Sequence, residues 1–173
     1  NDINFINSEG KEVDLSQIDS EIIFEWSNLE CPYVKRHYGS NNMQTTQKFA
    51  KSKNVIWITV ISSAEGKQGY IQPNDAVNTF ASFGSFPDHI LVDENGGLGK
   101  KFNAKTTPHI FIADKNKNIV YQGAIDDAGG SRFWTTDLNQ STNFVKKVIN
   151  DIKSNKPLSV SKTRPYGCSV KYG

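Results

Sequence analysis

The chain alternates short apolar runs of strand length with segments of helical spacing, and this alternation restricts its fold more than any other feature. Glu21-Ile22-Ile23-Phe24-Glu25-Trp26 and Val55-Ile56-Trp57-Ile58-Thr59-Val60-Ile61 are β-branched and aromatic runs of the kind buried inside a sheet. Ile90-Leu91-Val92-Asp93 is a shorter one, and His109–Ala113 and Ile119–Gly123 flank a polar Asp114–Asn118 turn, the pattern of an antiparallel hairpin. Ile3-Asn4-Phe5-Ile6, a Ser-Glu-Gly turn and Lys11-Glu12-Val13 read as a second hairpin at the start. Between the runs, Pro32 opens a helix through Val34 and Tyr38 that Gly39–Asn42 interrupts before Met43–Ala50 resumes it. Pro73 opens another, with Ala76, Val77, Phe80 and Phe83 on one face, and Leu98–Phe102 form a brief one. A last helix, Phe144–Ile152, is expected to bury Val145, Val148, Ile149 and Ile152 and to stop at Pro157. Strands separated by helices imply parallel neighbours, and the closing hairpin adds antiparallel ones. The expected fold is α/β, a mixed central sheet flanked by helices, preceded by an N-terminal hairpin.

A chain of 173 residues can bury one full core. Its net charge of +2 and lack of any long Lys/Arg run argue against nucleic acid as a partner. No stretch approaches the roughly 20 apolar residues of a membrane-spanning helix. Two cysteines, Cys31 and Cys168, exclude a disulfide-dense scaffold and a Cys-rich zinc site, and their separation excludes a CxxC pair. No cofactor is expected, and the oligomeric state is left open. The sequence begins at Asn1 rather than Met, which fits removal of a segment such as a signal peptide. Together with the option of a long-range disulfide this favours a periplasmic or secreted location, with the cytoplasm as the alternative.

Cys31 carries the most chemistry. It lies at the carboxyl end of a buried strand and at the start of a helix, the edge where open α/β sheets place their sites. The helix terminus offers unpaired N–H groups and about half a positive charge, both of which favour a thiolate. Lys35, one turn on, is expected to add to that effect. The competing reading is a small buried residue at a helix start.

The strand before Cys31, the Cys31-Pro32 pair, the opening hairpin and Lys105-Thr106-Thr107-Pro108-His109 together resemble the thioredoxin superfamily, in its redoxin branch of peroxiredoxin-like and TlpA-like proteins. The resemblance implies a thioredoxin-like fold over residues 1–157, with 158–173 as a C-terminal tail. It implies a cis bond before Pro108, facing Cys31, where Thr107 and Pro108 can meet an extended substrate chain. Glu25 matches the buried acid that thioredoxins keep beneath the redox cysteine, and is expected to move protons for the thiol. Trp26, Asn28 and Pro32 complete the expected substrate-binding set. Two departures stand out. Val34 occupies the second CxxC position, and Asn28 and Phe24 stand where peroxiredoxins have Thr and Pro.

Cys168 can fill the place of the missing second thiol. On a flexible tail it could swing in to resolve oxidised Cys31; equally, it could be free or form a static bridge. The favoured function is a thiol-dependent oxidoreductase acting on a protein disulfide or a hydroperoxide, with exchange slightly ahead because the peroxide signature is broken. The alternative is a non-catalytic binding module with a structural Cys31–Cys168 disulfide. His37, His89 and His109 read as satisfied polar residues rather than metal ligands, and Asp126 and Asp127 as a solvated pair on a Gly-rich loop.

Overall fold

The computed structural model describes residues 4–173. Strands β1 (Asn4–Ile6) and β2 (Glu12–Asp14) form the expected hairpin, Ile3 lying outside the described residues. The main sheet has the order β5-β4-β3-β7-β8, built from β3 (Ile22–Trp26), β4 (Ile56–Ile61), β5 (His89–Val92), β7 (His109–Ala113) and β8 (Ile119–Gly123). β3, β4 and β5 run parallel, while β7 and β8 are antiparallel. The helices are α1 (Pro32–Gly39), α2 (Asn42–Ser52), α3 (Pro73–Ser82), α4 (Gly97–Phe102) and α5 (Phe144–Lys153). The mixed α/β fold follows the order read from the pattern of apolar runs.

Strand alternation divides the core in two. Ile23, Trp57, Ile61, Ile110 and Ile112 face Val34, Tyr38, Met43, Ala50, Phe80, Val145, Val148 and Ile149 of the larger helices. Ile22, Phe24, Trp26, Ile58, Val60 and Phe111 face the hairpin and α4 through Phe5, Leu98 and Phe102. Asn41, with φ 65°, breaks the long helical pattern into α1 and α2.

Three details differ from expectation. Val77 is 40% exposed, because the core-facing stripe of α3 is carried by Ala76 and Phe80. Ile152 is only half-buried. α5 ends at Lys153 on a Ser154 cap, before Pro157 is reached. The larger correction concerns the tail, which is a strap fastened along its length rather than a flexible arm. Thr163 Oγ1 accepts from the Ala124 amide at 2.9 Å and meets the Tyr121 hydroxyl at 2.6 Å. Cys168–Ser169 form strand β9 against β6 (Thr106–Thr107). The Ala64 amide donates to Lys171 O at 2.9 Å, and the Tyr172 hydroxyl to Ala104 O at 2.7 Å.

Candidate functional site

Two crossings of the sheet create the site. β3 ends at Trp26, and the chain turns through Asn28 so that the Cys31 amide donates to Asn28 O at 3.0 Å. Cys31 then caps α1, with extended φ −74° and ψ 126°, and Pro32 takes the first helical position, where its missing N–H costs nothing. In the antiparallel register His109 lies opposite Trp26. This sets the residues just before β7 against the start of α1. The Thr107–Pro108 bond is cis, and the Cys31 thiol donates to Thr107 O at 3.4 Å.

The tail closes the remaining side. Thr107 pairs with Cys168 and Thr106 with Ser169 in an antiparallel bridge, and the Val170 amide donates to Lys105 O at 3.1 Å. This register puts the Cys168 thiol beside that of Cys31, against the same core cluster. Both cysteines are free thiols, and Cys31 is fully buried. The Cys168 thiol is pushed up to about 11, first by burial and then by hydrogen bonding and charge from Cys31. The Tyr33 backbone amide, in the first turn of α1, and Lys171 pull in the opposite direction. The Thr107 hydroxyl is buried beside them without a hydrogen-bond partner.

A polar ring holds the tail just upstream. Asn42 Nδ2 donates to His37 Nδ1 at 3.0 Å and to Asp126 Oδ2 at 3.2 Å. His37 Nδ1 is therefore an acceptor, the imidazole proton sits on Nε2, and that N–H donates to the Tyr166 oxygen at 3.2 Å. The Tyr166 hydroxyl in turn donates to Asp126 Oδ1. Burial, with a smaller contribution from Arg36, pushes His37 down to about 3, consistent with the neutral tautomer this ring requires. Asp126 is raised, chiefly by burial and against the Tyr166 bond. The Tyr166 ring packs on Tyr33 and Phe133.

The sequence-derived site residues thus fall into two groups. Cys31, Pro32, Thr107, Pro108 and Cys168 come together at one edge. Glu25, Trp26 and Asn28 do not point into it. Glu25 is fully buried beneath α1, where its carboxyl accepts from Trp57 Nε1 at 3.0 Å, Thr59 Oγ1 at 2.9 Å and the Tyr38 hydroxyl at 2.8 Å. Tyr38 lies two helical turns beyond Cys31, and neither cysteine is among the partners of this carboxyl. Burial raises the Glu25 pKa, against those three donors. Trp26 lies on the opposite face of the sheet, its indole N–H donating to Ser62 Oγ at 3.0 Å. The Asn28 side chain is committed to Gln68 and to the Glu30 amide. Lys35 is exposed, and Val34 is core.

Asp126 departs from the expected solvated pair because it is buried in the polar ring, whereas Asp127 is exposed and accepts from the Thr142 amide. His89 meets Asn7, and His109 accepts from the Lys105 amide, so each histidine has a protein partner. Sequence reasoning missed Tyr33, His37, Phe133 and Tyr166 as members of the site. The one available signal was the Tyr166-Gly167-Cys168 triplet, in which a glycine directly precedes the second cysteine.

A sheet of this order, a cysteine opening the helix after its central strand and a cis-proline loop opposite define a thioredoxin-fold thiol protein. Residues 2–134 match the Redoxin family model, and the chain belongs to the Redoxin family. No curated protein matches it. Among solved structures it is similar to an uncharacterized conserved protein from Geobacillus kaustophilus, at 20% identity and a TM-score of 0.82, over 99% of this chain and 88% of that one. A hypothetical protein from Sinorhizobium meliloti aligns at 16% identity and a TM-score of 0.77, over 98% and 91%. A secreted disulfide oxidoreductase from Mycobacterium tuberculosis aligns at 13% identity and a TM-score of 0.50, over 67% of this chain and 78% of that one. Among the described residues no helix is long and apolar enough to cross a membrane.

Proposed function

We propose that this protein is a two-thiol oxidoreductase in which Cys31 is the nucleophile and Cys168 the resolving thiol. The observation that carries the reading is that strand pairing with Thr107 sets Cys168 beside Cys31, the two sulfurs unbonded to each other. The Cys31 thiolate attacks a substrate disulfide, forming a mixed disulfide and releasing one substrate thiolate. Cys168, deprotonated, then attacks the Cys31 sulfur, releasing the second substrate thiol and leaving a Cys31–Cys168 disulfide. An external dithiol returns both to thiols. Part of what raises the Cys168 pKa comes from Cys31 itself, and that part disappears once the Cys31 sulfur is bonded to substrate. That loss favours the Cys168 thiolate at the resolving step, while burial, the larger cause of the raised pKa, remains.

Disulfide exchange is preferred to peroxide reduction. The Asn28 amide is occupied by Gln68, and Phe24 lies in the core on the far face of the sheet, so neither faces Cys31. The partner is a disulfide-bearing protein or small molecule. A periplasmic setting, or a secreted one like that of the M. tuberculosis oxidoreductase, suits such substrates.

The test is oxidation of the reduced protein by one equivalent of oxidised glutathione, followed by peptide mapping. The expected product is an intramolecular Cys31–Cys168 disulfide. Cys168→Ser should stop at glutathione on Cys31, and Cys31→Ser should not react. Glutathione found on Cys168 first, or turnover by Cys31→Ser, would overturn the assignment.

A further inference from the structure

We infer that the tail stands along the Lys105–Thr107 edge in place of a polypeptide partner, and that the partner this edge fits carries an aromatic-Gly-Cys segment. This rests on the function proposed above and names its substrate class.

Three features of the seated tail act as a template. First, Thr106–Thr107 offers a short open edge that β9 completes as an antiparallel partner, the mode by which sheet edges capture extended peptides. The pairing places a cysteine, Cys168, opposite Thr107, whose carbonyl also accepts the Cys31 thiol. Second, the residue before that cysteine has no room for a side chain. A Cβ on Gly167 would lie 2.1 Å from Thr107 O, and its φ of 144° disfavours any other residue. Third, the position before the glycine has a built receptor. The Tyr166 ring lies on Tyr33, Phe133 and His37, against Gly129, and its hydroxyl finds Asp126 and the His37 imidazole.

Cys31 is fully buried with Cys168 of the seated tail beside it, so a polypeptide substrate has to displace the tail to take that place. The displaced residues are those that the incoming segment copies: an aromatic ring into the Tyr33–Phe133–His37 receptor, glycine across Thr107 O, and cysteine opposite Cys31. Cys31 attacks the sulfur of the incoming cysteine and expels whatever thiolate was bonded to it. The returning tail then brings Cys168 onto the Cys31 sulfur, freeing the reduced peptide and closing the protein disulfide. The two electrons come from the two protein thiols.

The experiment uses the full chain carrying Cys168→Ser, so that the mixed disulfide on Cys31 accumulates. The probe is a synthetic peptide, Arg-Pro-Tyr-Gly-Cys-Ser-Val, with its cysteine bonded to glutathione. The control replaces the tyrosine and glycine of the peptide with alanine. Release of glutathione and the mass of the adduct are followed, with oxidised glutathione alone in parallel. The tyrosine–glycine peptide should react faster than its control by roughly tenfold or more, the usual effect of truncating a well-buried aromatic contact. Adding Tyr166→Ala to loosen the tail should raise its rate further. Gly167→Ala, which pushes the tail off Thr107 by a different route, should do the same and covers the case in which Tyr166→Ala fails to fold.

Equal rates for the two peptides, with oxidised glutathione still reacting at Cys31, would overturn the template and leave the proposed function standing. No reaction with any disulfide would overturn both. Slower reaction of the tyrosine–glycine peptide in both loosened variants would show that the tail assists entry rather than occupying the groove, and would also overturn the inference.

Discussion

Glu25→Gln isolates what a buried acid does beneath this site. The carboxyl is fully buried and accepts three side-chain donors, and burial raises its pKa in the folded state. Below the unfolded value of about 4.3 the acid is neutral in both states and contributes no pH dependence. Above it, the unfolded chain releases a proton that the folded chain retains. Wild-type stability therefore falls by about 1.4 kcal/mol per pH unit from this group until the folded pKa is passed. Glutamine does not ionise and carries no such slope. Its carbonyl oxygen can keep Trp57 Nε1 and Thr59 Oγ1, while its NH₂ group faces the Tyr38 hydroxyl, which must turn its proton to Ser85 Oγ, 3.1 Å away. The cost is at most one hydrogen bond, about 1 kcal/mol. One unit of pKa separation already offsets that loss. Urea unfolding of both proteins from about pH 4 to pH 8 should show the variant weaker at the acid end and gaining on wild type as pH rises, until the folded pKa is passed. A stability difference that does not change with pH would refute the argument. The same variant separates structure from catalysis. Because the carboxyl bonds neither cysteine, exchange with oxidised glutathione should hold near the wild-type rate. A drop of about 100-fold or more, the size that general acid–base catalysis supplies, would make Glu25 the proton relay after all.

Other outcomes follow from the tail and its polar ring. His37 is held neutral down to about pH 3, so the unfolded chain binds a proton that the folded one refuses as pH falls below about 6.5. Wild-type stability should therefore drop across that window more steeply than that of His37→Gln; parallel curves by denaturant titration would count against the neutral, buried imidazole. At Gly123, φ is 146° and a Cβ would lie 2.5 Å from the Thr163 carbonyl oxygen, so Gly123→Ala should cost about 1–3 kcal/mol and expose Cys31 to alkylating reagents, read by mass spectrometry. An unchanged labelling rate would mean that the tail does not shield the thiol. Tyr166→Phe keeps the ring but removes the bond to Asp126, and a loss of about 1.5–3 kcal/mol at neutral pH is expected in urea unfolding. No loss would place that hydroxyl outside the fold's energetics.

The element order was legible in the sequence because each strand of the main sheet is marked by a β-branched run and the longer helices by an apolar face. The position of Cys31 was legible for a related reason: a buried strand followed by Cys-Pro puts the cysteine at a helix start wherever the strand lies in the sheet. Thr107-Pro108 needed the resemblance to thioredoxins, since residues far apart in sequence meet only through the β3–β7 register. Val34 likewise showed at once that the second thiol could not come from the first helical turn.

Sequence alone therefore determined the fold and the place of Cys31 at a helix start, both of which depend on local pattern. The places of Cys168, Tyr166 and Asp126 were decided only in three dimensions. Nothing local marks the tail as ordered, because it carries no periodic stripe and pairs through only two residues. It is held by pairing with Thr106–Thr107, a receptor formed from α1 and the loop around residues 126–133, and glycines that leave room beneath it. Contacts of that kind have no signature in a single sequence, since each depends on where the rest of the chain has already been placed.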